Sequence, residues 1–242
     1  MHVAIIQKII DIIRGKEFQK AEERKQAFKK NEIAVAKSCK NKIHFTIKGV
    51  NNKITIPETC NILKNVNIYI CGNNNKVIFD ENLHVGSLTV VLGQHHPYFG
   101  DVNNSSFIIN KNSSIDSLTY TTYNSNTFCT IEENCMLSYG ITIYNTDAHP
   151  IFKKGTDEVI NKVKGITIGK HSWIGMNVTI LKNSIIPSNS IVGCNSVFSG
   201  GGQCQPYCAF AGNPARIIKE NVDWDANGAK YGYIKNEDMI AK

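Results

Sequence analysis

The chain has 242 residues, is 42% hydrophobic and carries a formal charge of +7 at neutral pH, enough for one sizeable core with a small appendage. No apolar run approaches the roughly 18 residues that a membrane-spanning helix requires. The basic residues are scattered among acids, without a recognition-helix pattern or interleaved aromatic and basic side chains, which argues against a nucleic-acid module and leaves an anionic small ligand or polymer as the partner that suits the charge.

Residues 1–38 read as a helical segment. Ile5, Ile6, Ile9, Ile10 and Ile13 recur at helical spacing, and a charged, alanine-containing stretch follows. Gln7, Lys8 and Asp11 interrupt the apolar stripe, so it lacks the unbroken core of a secretory signal. With no export signal, the eight cysteines are expected to be reduced thiols and the protein cytoplasmic. Cys204 and Cys208 have no second Cys or His pair beside them, so no zinc site is expected there.

From residue 39 the character turns to β. The segments 49–54 and 72–77 echo one another as Asn-rich turns feeding strands, and Ile56, Ile62 and Ile68 fall six apart. A loop is expected near 93–104, whose histidines His95 and His96 and aromatics Tyr98 and Phe99 could line a sugar site or have no binding role. Ile131, Leu137 and Ile143 resume the spacing, and a second projecting loop spans 145–164. The pattern is clearest over 165–198, where Ile168, Ile174, Ile180, Ile186, Val192 and Phe198 keep a strict period of six that neither a helix nor an alternating strand produces. Six is the period of a coiled parallel β-structure. Ser172, Val178, Ser184, Ser190 and Ser196, four beyond each aliphatic, are small enough for its corners, and Gly169, Gly175 and Gly193 are placed where a tight bend favours glycine. After Phe198 the register dissolves, and residues 216–242 read as a short helix and tail covering the last coil.

The hexads, the loop 145–151 (NTDAHPI), the turn 171–175 (HSWIG) and the closing 211–215 (AGNPA) together resemble the hexapeptide-repeat acyltransferases, and among them the bacterial capsule and polysialic acid O-acetyltransferases. The resemblance is dense over 131–219 and does not reach the N-terminal helix. It implies a mainly β fold, a left-handed parallel β-helix over 39–215. It further implies acetyl-CoA as co-substrate, a carbohydrate acceptor, no metal requirement, and a homotrimer with active sites between adjacent subunits.

Acetyl transfer to a hydroxyl needs a base, and histidine is the natural one. His149 is the best placed. Pro150 disfavours helical geometry at His149, and Asp147, two residues earlier, falls on the same side of an extended segment, where its carboxylate would hold the imidazole tautomer. The family pattern assigns Trp173 to the acetyl site, contacting the acceptor or donating its indole N–H to the oxyanion, with the backbone N–H of Gly175 an equal candidate donor. Arg216 and Lys219 occupy the position where relatives place a cation for the CoA phosphates, with Lys182 a further candidate. Ser199 and the glycines after it stand where many relatives have a Thr-Lys pair.

Three other functions use the same kind of fold. N-acetylation of a nucleotide-linked amino sugar needs the same base and donor, and a non-catalytic β-solenoid scaffold would bind carbohydrate without acetyl-CoA. A metal-dependent hydration enzyme needs histidines at a ligand spacing that His149, His171 and His95–His96 do not provide.

Overall fold

The computed structural model describes residues 22, 25, 26, 29–94, 99–200, 205–227 and 230. Most of the predicted N-terminal helix, His95, His96, Cys204 and the end of the tail lie outside them.

Strands pair in parallel with strands one coil away in three ladders. The first runs Glu32–Val35, Lys53–Ile56, Lys76–Phe79, Ser106–Ile109, Phe128–Ile131, Gly165–Ile168 and Ile185–Ile186. The second and third are joined by two long strands, His84–Leu92 and Ser114–Thr122. Each begins in the second ladder, beside Asn61–Ile62 or Met136–Leu137, and ends in the third, beside Val66–Cys71 or Ile141–Tyr144. The chain visits first, second and third ladder in turn, so three hexads close one coil. The register shows it: Ile168 lies opposite Ile186, Ile174 opposite Val192, and Ile180 opposite Phe198. The first five are wholly buried and Phe198 is 6% exposed. Burying such a side chain is worth roughly 1.5–3 kcal/mol, and the sixfold period is the spacing at which every hexad can bury one.

The corners close by a device other than the glycines. His171, Asn177, Asn183, Asn189 and Asn195, each just before a small buried residue, take left-handed backbone angles with φ between 51° and 61°, a region asparagine tolerates better than most residues. Gly169 and Gly175 do not have positive φ. A Cβ on them would lie 2.5 Å from Ser188 N and 2.8 Å from Cys194 N, so glycine is required there by the approach of the next coil and not by the bend. The buried corner serines bond to backbone carbonyls, Ser172 Oγ to Pro187 O at 3.1 Å and Ser184 Oγ to Leu181 O at 2.6 Å.

Nearer the N-terminus a buried asparagine stack replaces the serines. Asn75, with no exposed surface, donates to Asn52 Oδ1 at 3.1 Å and to Val102 O at 2.7 Å, and accepts from Ser105 N at 2.9 Å. Truncation strands several buried partners at about 1–3 kcal/mol each. Asn75→Ala is therefore expected to lower unfolding free energy by about 3 kcal/mol or more, measured by urea denaturation; a change below about 1 kcal/mol would mean that the stack is solvated.

Two boundaries differ from expectation. Helix was predicted to residue 38, but Glu32–Val35 is a strand paired with Lys53–Ile56, followed by a 3-10 turn at Lys37–Lys42. The buried aliphatics of the next coil reward pairing more than the local helical preference does. Likewise residues 216–220, placed in a C-terminal helix and tail, belong to the strand Ala215–Glu220, antiparallel to Cys208–Gly212 and partnering the free edge of the last coil.

Candidate active site

Two long connections leave from the same corner. The segment after His84–Leu92 and the loop 145–164 both lead from the third ladder back to the first, and the short turn after Ser114–Thr122 lies on the coil between them. Features far apart in sequence are thereby stacked one coil above another. Phe99 lies face to face with Tyr123, ring centroids 4.3 Å apart and planes 14° apart, and the His149 ring stands 6.3 Å from Phe99 at 44°.

His149 is exposed. It follows Ala148, a non-glycine residue at φ 62°, and its N–H bonds to Asp147 O at 2.6 Å. Such backbone strain needs support from its surroundings, and Asn161 supplies it. One carboxamide donates to Asp147 Oδ2 at 2.7 Å and to His149 O at 2.9 Å, and accepts from Ile151 N at 2.8 Å. Lys182 Nζ completes the arrangement, 3.0 Å from Asp147 Oδ2. Burial works to raise the Asp147 pKa; the Asn161 hydrogen bond, the Lys182 hydrogen bond and the Lys182 charge outweigh it and hold the carboxyl below its ordinary range.

This alters two expected roles. Among the described residues the Asp147 carboxylate makes no hydrogen bond to the imidazole; it ties the loop to Asn161 and Lys182 instead. Lys182, offered as a cation for CoA phosphate, is paired with Asp147 one coil below the loop. Asn161 carried no signal in the sequence, since a lone asparagine in an irregular stretch has no periodicity to mark it.

Trp173 lies elsewhere on the coil. Its side of the second ladder carries, in register, Met136, Trp173, Ile191, Ala209 and Lys219. At about 4.8 Å per strand, Trp173 and Lys219 stand roughly 14 Å apart across an apolar strip. Trp173 is 37% exposed, and Arg216 and Lys219 are exposed; the Arg216 Nη1 bonds to Ala215 O at 2.9 Å. Ser199 is exposed beyond Val197–Phe198. The Gly175 N–H is spent on the ladder, donating to Val192 O at 2.8 Å, so the expectation that it serves an oxyanion is corrected: a strand N–H already paired cannot serve both.

The C-terminal segment returns to this face. Trp224 stacks on His171 with centroids 4.5 Å apart and planes 8° apart, donates from Nε1 to His171 O at 2.8 Å, and lies 6.0 Å from Trp173. His171 Nε2 is 3.0 Å from Trp224 O and 3.4 Å from Asp223 Oδ1. This stacking accounts for a histidine at a corner where the following hexads use asparagine. Trp173 and Trp224 are the chain's two tryptophans, so Trp224→Ala is expected to abolish an exciton couplet in the far-ultraviolet circular dichroism and to speed amide exchange over 221–227. An unchanged spectrum would mean that the segment does not rest there in solution.

No family model matches the chain. Over 192 residues it is 35% identical to a polysialic acid O-acetyltransferase of Neisseria meningitidis, a match covering 74% of this chain and 88% of the relative. A stretch of 95 residues is 40% identical to a polysialic acid O-acetyltransferase of Escherichia coli O1:K1 / APEC, covering 39% of this chain and 30% of that one. Among solved structures, the polySia-specific acetyltransferase NeuO superposes with a TM-score of 0.61 at 25% identity over 86% of both chains. The polysialic acid O-acetyltransferase OatWY does so with a TM-score of 0.53 at 28% identity, over 75% of this chain and 90% of that one.

Proposed function

Because this chain belongs to the hexapeptide-repeat polysialic acid O-acetyltransferases, we propose that it moves an acetyl group from acetyl-CoA to a sugar hydroxyl of a sialic-acid-type bacterial surface polysaccharide. The observation that carries the reading is an exposed histidine held on a strained loop by Asn161, beside an aromatic pair. His149 takes the hydroxyl proton as the oxygen attacks the thioester carbonyl. The resulting oxyanion collapses, the C–S bond breaks, and the CoA sulfur leaves with the proton that His149 returns.

Acetyl-CoA lies along the second ladder in this reading, its thioester near Trp173 and its phosphates near Lys219 and Arg216. The Trp173 indole N–H is the side-chain donor for the oxyanion. His149 stands on the loop that leaves the third ladder and Trp173 on the second ladder of one chain, so the site is completed between subunits of a trimer of left-handed coils, in the cytoplasm. Asp147 and Lys182 keep the base in place. No metal enters the mechanism.

Radiolabelled acetyl-CoA offered with hydroxyl and amine acceptors tests the reaction. Label on the hydroxyl of oligosialic acid is expected; label on an amino sugar alone would make it an N-acetyltransferase. Without stabilisation of the folded chain by CoA, the scaffold alternative would stand. Lys219→Ala is expected to raise the KM for acetyl-CoA severalfold with kcat nearly unchanged. A loss confined to kcat would remove Lys219 from phosphate binding.

A further inference from the structure

The aromatic pair at the His149 corner has no part in the core. Phe99 and Tyr123 both stand outside the hexad register, on connections and not on inward strand positions, and both retain solvent-accessible surface. Their arrangement is nonetheless ordered. The rings are stacked at 4.3 Å, and the Tyr123 hydroxyl donates to Gln94 Oε1 at 3.3 Å. Burial, and after it the neighbouring Tyr144, raises the Tyr123 pKa, so the phenol stays neutral at physiological pH.

Aromatic rings brought beside a base by three consecutive coils form a surface of particular chemistry. An aromatic face is apolar with a negative quadrupole, and the ligand that it suits beside a proton acceptor has weakly positive C–H groups on one side and hydroxyls on another. A pyranose has both. Lys219 and Arg216, the cations assigned to the CoA phosphates, lie on the last strand of the second ladder and not on this corner, whose own loop carries the exposed lysines Lys153, Lys154, Lys162 and Lys164, cations that suit an anionic sugar. A polar groove of about 320 Å³ at the corner between the second and third ladders, lined by Lys64, Asn67, Thr89, Thr119 and Thr142 among others, offers hydroxyls and amides but no base.

We propose that Phe99 and Tyr123 are the seat of the acceptor sugar, packing against the C–H face of one pyranose and directing its hydroxyl to His149. This rests on the reading of His149 as the base, and it assigns acceptor selection to one aromatic of the 93–104 loop together with Tyr123, which no sequence motif marks.

The test is made on the full chain with acetyl-CoA and oligosialic acid. Phe99→Ala and Tyr123→Ala are each expected to raise the KM for the glycan about tenfold, the scale of one lost aromatic contact. The KM for acetyl-CoA should stay unchanged. Phe99→Trp and Tyr123→Phe, which keep the rings, should stay near the parent value, separating loss of contact from misfolding. Saturation-transfer NMR with oligosialic acid reads the seat without turnover: the parent chain should transfer saturation to ring C–H protons and the alanine variants should not. An unchanged glycan KM with unchanged saturation transfer overturns the proposal, as does a rise confined to the KM for acetyl-CoA. Should the parent chain bind the glycan through these rings and fail to acetylate it, the acetyltransferase reading fails while the seat survives.

Discussion

Replacing His149 with alanine is expected to leave a folded chain that binds CoA, with acetyl transfer slowed by two to four orders of magnitude, the range for loss of a general base. The fold should tolerate the change because the His149 ring is exposed and the contacts holding the loop are made by backbone atoms of His149 and by Asp147, Asn161 and Lys182. Steady-state kinetics together with a thermal shift on adding CoA make the measurement. Turnover within a few-fold of the parent would exclude His149 from proton transfer, and a lost CoA response would mean that the substitution had damaged more than the base.

Asn161→Ala is expected to lower kcat about 10- to 100-fold with little change in the KM for acetyl-CoA. The side chain touches no reacting atom; it is a positioning residue. Its removal cuts three hydrogen bonds to the loop at once and lets the base drift by an ångström or so, a displacement that can cost 10² in rate. Combined with His149→Ala it should have almost no further effect, since there is then no base to misplace. Full additivity in the double variant would show that Asn161 acts elsewhere. Acid supplies an independent readout. The folded Asp147 carboxyl titrates below its ordinary range, so its contribution to loop order is present above the unfolded-state pKa and lost as pH falls through the lower, folded one. Without the Asn161 donor the folded pKa should move up towards the ordinary carboxylate range, and a carboxylate NMR titration of Asp147 should show the midpoint rise; an unmoved midpoint would mean that Lys182 alone sets it.

How much of this was legible beforehand differs from residue to residue for physical reasons. The hexad aliphatics announce themselves because each must be buried at a fixed repeat, and Ile168, Ile174, Ile180, Ile186 and Val192 lie inside at that repeat. The corners were legible only as positions needing small side chains. That asparagine supplies the left-handed angle while glycine supplies clearance for the next coil depends on distances between coils, such as the 2.5 Å from a Gly169 Cβ to Ser188 N. His149 was marked as a candidate by its local motif, and Trp173 by an aromatic at a hexad corner together with the family pattern. Asp147 was legible as a neighbour of His149 but not as the partner of Lys182, a contact between residues 35 positions apart on different coils.

By itself, then, the amino-acid order determined the period of the coil, the residues that fill it and the family in which an acetyl group is moved, because burial at a constant repeat and a run of local motifs are both written along one dimension. Tertiary structure alone decided that three connections leave from a common corner, that Phe99 and Tyr123 meet His149 there, that Asn161 ties down the His149 loop and that Trp224 returns to His171. Apart from the Asn161 contacts, which close one loop on itself, these join residues whose sequence separation depends on loop length, and stacking brings them together without any periodic trace in the chain.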